Sequence, residues 1–151
     1  MGQTVLSYEQ LASAAGTDLG YSDFRTVTQD QVNTFADATD DHQWIHTDPE
    51  KAKDGPFGGP IAHGYLSLSL QIAFWSELFD VTGVGTRVNY GLDKVRFPSP
   101  VPVGAQIRMK AQIAEVEEVK GGYQIAVDQV VEVEGAPKPA VVSRGIYRFY
   151  A

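Results

Sequence analysis

The stretch from Pro60 to Phe79 constrains this chain more than any other. It reads P-I-A-H-G-Y-L-S-L-S-L-Q-I-A-F-W-S-E-L-F. From His63 or Gly64 onward the spacing predicts one helix with apolar groups on nearly every side, from Tyr65 and Leu66 through Phe74 and Trp75 to Phe79. A helix that is apolar all round is a buried one. At roughly 1.5 Å per residue it is about 25 Å long, enough to cross a small domain. Ser67, Ser69, Gln71, Ser76 and Glu77 interrupt it too often for a membrane span. Something must therefore wrap it. Its opening N–H groups have no partner inside the helix and carry the positive end of its dipole. Gly64 has no side chain to block an approaching oxygen, so this start is a candidate donor site for a developing oxyanion.

The wrapping material comes after the helix. Thr86 to Phe97, Gln106 to Val119, Tyr123 to Val133 and Ala140 to Tyr150 alternate with the period of strands. Pro98, Pro100, Pro102 and Gly104 separate the first pair, Gly121-Gly122 marks a hairpin, and Gly135 to Pro139 turns the chain again. A weaker strand spans Tyr21 to Val27. Short connections predict antiparallel neighbours throughout. Ahead of the helix, Ser7 with Gln10 and Thr28 with Gln31 fit capping boxes, and the second opens a helix that fades near Asp40. Asp48 caps a short helix with Pro49 at its first position. The expected class is α+β, an antiparallel sheet of about five strands curled around one long central helix. With 151 residues, 43% hydrophobic, the chain is one domain, residues 1–151, with room for a real core.

Composition removes several functions. The absence of cysteine rules out disulfides and thiolate metal sites. A formal net charge of −7 argues against nucleic-acid partners. No leader and no membrane-length span are visible, so the expected location is cytoplasmic. His42 and His46 lie four apart with Asp41 and Asp48 nearby, which raises a metal site. Pro49 and the helix-poor composition oppose a shared helical face, so no metal and no cofactor are expected.

Three motifs carry a resemblance. F-A-D-A-T-D-D-H-Q-W-I-H-T-D runs from Phe35 to Asp48, and P-I-A-H-G-Y-L-S-L-S from Pro60 to Ser69; Y-G-L-D-K-V-R-F comes later, at Tyr90 to Phe97. Together they resemble the MaoC-like dehydratases, the R-specific enoyl-CoA hydratases of the hot-dog fold. The family's usual Asn-Pro is replaced here by Gln43-Trp44, while the spacing from Asp to His is kept. The resemblance implies an enoyl-CoA thioester substrate and a homodimer with the thioester tunnel near the subunit boundary. It matches Asp41 and His46 to the catalytic pair, and Gly64 to the residue whose backbone N–H holds the thioester oxygen. It matches Ser69 to a serine that supports the aspartate.

The chemistry fits these residue types. Adding water across an α,β-unsaturated thioester needs a base for the water, an acid for the α-carbon and a donor for the enolate-like oxygen. Which of Asp41 and His46 is base stays open at this level. Each residue also has a plainer reading: Asp41 as a helix C-terminal turn residue, His46 as a satisfied half-buried histidine, Ser69 as a small packing residue, Trp44 as core. His63, at the helix start, is expected to support the site structurally through hydrogen bonds. Lys94 and Arg96 fall on one face of their strand by alternation; Lys94 reads as solvated, and Arg96 as a candidate for substrate phosphate or for a dimer contact. Two further readings accompany hydration: a non-catalytic acyl-thioester-binding hot-dog protein, and an acyl-CoA thioesterase.

Overall fold

The computed structural model describes residues 2–151. Its N-terminal part is set by local capping. Ser7 and Gln10 form a reciprocal box, Ser7 N–H donating to Gln10 Oε1 at 2.8 Å and Gln10 N–H to Ser7 Oγ at 3.2 Å. The box opens a single 3-10 segment, Glu9–Ser13. Strand β1 (Thr4–Ser7) precedes it; β2 (Asp18–Tyr21) and β3 (Arg25–Thr26) come after. The strand expected over residues 21–27 is thus two short pieces, both antiparallel to the same partner strand. Thr28 Oγ1 accepts from Gln31 N–H at 3.1 Å and opens α1 (Gln29–Thr39). The helix stops at Asp40, which takes the left-handed conformation at φ 60°. Two short helices continue the chain, α2 (Trp44–Thr47) and α3 (Pro49–Lys53), the latter capped by Asp48 and carrying Pro49 in its first turn.

The central helix departs from its expected form in three ways. It is two segments, α4 (Gly64–Ser69) and α5 (Gln71–Leu78), meeting at Leu70. At the join the Leu70 carbonyl accepts from both Ala73 and Phe74, at 3.0 and 3.2 Å, so the turn tightens locally without losing the helical path. Phe79 already belongs to the next strand, β4 (Phe79–Thr82), which pairs in parallel with β1. And burial is one-sided. Leu66, Phe74, Trp75 and Leu78 are buried, whereas Tyr65 and Ile72 stand 71% and 40% exposed on one stripe with Ser69 and Ser76.

The main sheet comprises β2, β3, β5 (Thr86–Arg96), β6 (Gln106–Val119), β7 (Gly122–Val133) and β8 (Val141–Tyr150). Its order is β2–β6–β7–β8–β5, with β3 also on β6, all antiparallel. The strands long enough to alternate over many residues sit almost where the sequence places them. One neighbour relation does not hold: β5 and β6 are consecutive in sequence yet lie apart, because β5 pairs with β8 and the Pro-rich connection carries the chain across. The inner face of β6, Ile107, Met109, Ala111 and Ile113, packs with Ile125, Val127 and Val131 of β7 under the helix. Fully burying one such aliphatic side chain contributes about 1.5–3 kcal/mol. This is the hot-dog arrangement, a mostly antiparallel sheet curled round a central helix.

Strand β5 bears two irregularities. Between Asp93 and Arg96 three steps on β5 face two on β8, and Lys94 within that bulge has φ 50°. The extra residue breaks alternation, so the shared face expected for Lys94 and Arg96 is not supplied by a regular strand. The other edge of β5 has no partner strand among the described residues.

Candidate active site

The loop after α1 and the residues leading into α4 meet over one another. Short helix α2 carries His46; the Gln29 side chain of α1 donates to the His46 carbonyl at 2.8 Å and ties the two helices together. Trp44 takes the first position of α2, the place a proline favours. Half-buried, it lies against Gly55, where an added Cβ would come within 2.9 Å of the indole, and Lys51 caps its ring at 4.7 Å. Thus α2 forms with Gln43-Trp44 in place of the family's usual pair.

The incoming segment is held on both sides. Ile61 N–H donates to the Ile45 carbonyl at 2.9 Å, Ala62 N–H to Val101 at 2.8 Å, and Val103 N–H to Pro60 at 2.9 Å. This clamp fixes the Ile61 carbonyl, which lies 2.7 Å from His46 Nδ1. A carbonyl only accepts, so Nδ1 carries the proton and the lone pair of a neutral His46 sits on Nε2. His46 is buried, and burial pulls its pKa below the ordinary value; the Ile61 bond opposes this, His63 adds to it, and Asp41 opposes it. The net result is an uncharged imidazole with a free acceptor nitrogen.

His63 lies on top of it. The two rings stack with centroids 3.9 Å apart and planes 24° apart, and Phe35 packs against His63 at 4.9 Å. His63 Nε2 is 3.0 Å from the backbone carbonyl of Asp41 and donates to it. Its Nδ1 is buried without a partner among the described residues. Asp41 is exposed; its N–H closes the end of α1 on Ala36 at 3.1 Å. Side-chain ligand atoms of Asp41, His46 and His63 lie within 4.8 Å of one another.

Other sequence-derived candidates fall differently. Gly64 is the first residue of α4, directly after His63, and an added Cβ would meet the Phe97 ring at 3.2 Å. Ser69 is exposed and donates to the Tyr65 carbonyl at 2.7 Å; among the described residues no hydrogen bond joins it to Asp41. Arg96 is exposed, with Nη1 on the Val95 carbonyl at 2.8 Å, away from the histidines' hydrogen-bond network. His42 leaves His46 altogether and pairs with Asp37 at 2.9 Å and Asp40 at 3.5 Å on the surface. Sequence reasoning missed the Ile61 carbonyl, Gln29 and Phe35. A backbone acceptor has no residue signature, and the other two read as ordinary helix residues.

A family model described as "MaoC like domain" matches residues 10–135. The chain belongs to the MaoC-like family. A protein of Mycobacterium tuberculosis named 3-hydroxyacyl-thioester dehydratase Z is 50% identical over 150 residues, 99% of each chain. Nodulation protein N of Rhizobium leguminosarum bv. viciae is 40% identical, covering 93% of this chain and 89% of its own length. Among solved structures, one described as a monoamine oxidase regulatory protein from Archaeoglobus fulgius superposes with a TM-score of 0.80 at 26% identity, over 99% and 98% of the two chains. An (R)-hydratase from A. caviae superposes at 0.71 and 22% identity, over 88% and 94%, a likeness of fold. Among the described residues no helix is long and apolar enough to cross a membrane.

Proposed function

We propose that this MaoC-like chain is an (R)-specific enoyl-CoA hydratase, adding water reversibly to a trans-2-enoyl-CoA to give the (R)-3-hydroxyacyl-CoA. At the coarser level it is a hydro-lyase of the 3-hydroxyacyl-thioester type, and the mycobacterial relative's name describes that reaction in its dehydrating direction. The observation that carries the reading is the buried His46, its Nδ1–H held by the Ile61 carbonyl and a ring nitrogen within 4.8 Å of an Asp41 carboxylate oxygen. Water held between these two acceptors attacks the β-carbon. His46 Nε2 takes one of its protons as the C–O bond forms, and the Cα=Cβ electron pair moves through the thioester onto its oxygen. The Gly64 N–H, at the helix start, meets that developing charge. His46 then returns the proton to the α-carbon, while Asp41 holds the hydroxyl of the product. The (R) hand and coenzyme A as carrier follow the resemblance of the paired motifs.

Assembly belongs to the same reading. The β5 edge, unpaired among the described residues, and the exposed Tyr65, Ile72, Tyr90, Leu92 and Phe97 offer backbone and apolar groups that a second copy would cover. A homodimer places the thioester tunnel near that boundary. Light scattering at micromolar concentration is expected to give the dimer mass; a monomer mass alone contradicts it. For activity, purified protein is mixed with crotonyl-CoA, and loss of the enoyl-thioester absorbance is followed with chiral analysis of the product. (R)-3-hydroxybutyryl-CoA is expected. Release of free thiol instead identifies a thioesterase, and tight acyl-CoA binding without turnover identifies a binding protein.

A further inference from the structure

Among the buried polar groups, His63 makes contacts that a merely space-filling residue would not. It is 2% exposed, it is the residue just before α4, and its side chain makes no capping bond to that helix. Its ring face lies on His46 and its Nε2 reaches the Asp41 carbonyl 22 residues back in sequence. Both partners are members of the proton-transfer pair, and they come from opposite sides of the turn after the left-handed Asp40. The intervening turn joins them only through Gln43, whose N–H reaches Asp41 Oδ1 at 3.4 Å and whose carbonyl accepts from His46 N–H at 3.0 Å, contacts that leave the plane of the His46 ring unset. We propose that His63 is a positioning residue that sets the two against each other, its stacked face fixing the plane of the His46 ring and its Nε2–H fixing the backbone that carries the Asp41 carboxylate.

The double contact explains why a histidine stands there. Phenylalanine supplies the face without the donor, and glutamine supplies a donor at similar reach without the face; the imidazole gives both from one compact buried side chain. The cost is Nδ1, buried with no partner among the described residues. A residue chosen for packing alone would not carry it. Displacing a reacting group by about 1 Å lowers rate on the order of 10²-fold, so coupling the two groups through one ring has a kinetic consequence. The titratable groups acting on His46 are His63 itself and Asp41, so no distant charge is needed to hold the site.

This inference rests on the hydratase reading, and the test separates the two. His63→Gln and His63→Phe are compared with wild type on crotonyl-CoA. Each is expected to lower kcat on the order of 10- to 10²-fold, with KM changed by no more than about twofold, because positioning acts on the transition state. Folded variants with unchanged kcat, whatever their melting temperatures, overturn the proposal. Should both variants fail to fold, long-range proton–nitrogen NMR of the wild type decides it. Protonation at Nε2 of His63 and Nδ1 of His46 supports the proposal, and the opposite tautomer on either ring overturns it. A wild type inert on crotonyl-CoA counts against the hydratase reading, and the tautomer spectra still judge the positioning geometry.

Discussion

At the N-terminal end of the central helix, His63 and His46 stack at 3.9 Å and donate to backbone carbonyls. Toward the C-terminal end, Trp75 stacks on Tyr147 at 4.7 Å with planes 8° apart, and Phe79 meets Phe149 edge-on at 6.2 Å. Both ends bury a titratable ring. Burial pushes the Tyr147 phenol up, against a bond from Gln129, and pulls the His46 imidazole down. One cause acts on both, since burial disfavours whichever form is charged. The outcomes differ because of where each ring starts. A phenol that ionises near 10 becomes still more inert, whereas an imidazole that starts near 6.5 becomes a neutral base across the physiological range. Of the two stacked aromatic pairs, the one before the helix is proposed to serve chemistry, while the one at its far end packs the core.

The comparison breaks most visibly at the catalytic end. Asp41→Asn and His46→Gln are each expected to lower kcat by about 10²–10⁴-fold, with circular dichroism unchanged. Either variant hydrating crotonyl-CoA at the wild-type rate removes the pair from the mechanism. The packing end should show the converse. Phe74, fully buried, has no polar role, and Phe74→Ala is expected to destabilise by about 3–5 kcal/mol, read from urea midpoints, while the folded fraction keeps its kcat. A smaller effect is expected at the exposed β5 bulge. Arg96→Ala should raise KM for enoyl-CoA a few-fold with kcat unchanged, the pattern of a contact made equally in ground and transition states. The change should diminish with rising salt and with a truncated thioester lacking the nucleotide. An equal KM increase for the truncated thioester assigns Arg96 to structure.

The features legible in the sequence were mostly local or periodic. The Ser7–Gln10 and Thr28–Gln31 caps and the long strands β6, β7 and β8 depend on neighbours in the chain and on many alternating residues. The departures lie where a distant partner decides. The four-residue β1 and β4 are too short for alternation to register and exist by pairing with each other. The β5 bulge is a register choice against β8, and the neighbour relation of β5 and β6 is lost to that same pairing. The central helix read as apolar all round, but its pattern does not say which chain covers which side; Tyr65 and Ile72 face outward from this one. At the site, Asp41 and His46 stood out through spacing and resemblance. The hydrogen bond that fixes His46 as its Nδ1–H tautomer comes from the Ile61 backbone, where side-chain identity carries no signal.

The proposed hydration turns on His46 being a neutral base. Its pKa is lowered in the fold, so the unfolded chain binds the proton first as pH falls, and the folded site keeps its acceptor below the ordinary histidine midpoint. The direct measurement is the pH dependence of kcat/KM for crotonyl-CoA beside the NMR titration of the His46 ring. The acid limb of the profile and the imidazole titration should coincide, both below about pH 6.5. A limb that departs from the His46 titration, or an imidazole that titrates at or above its ordinary value, contradicts the role of His46 as that base.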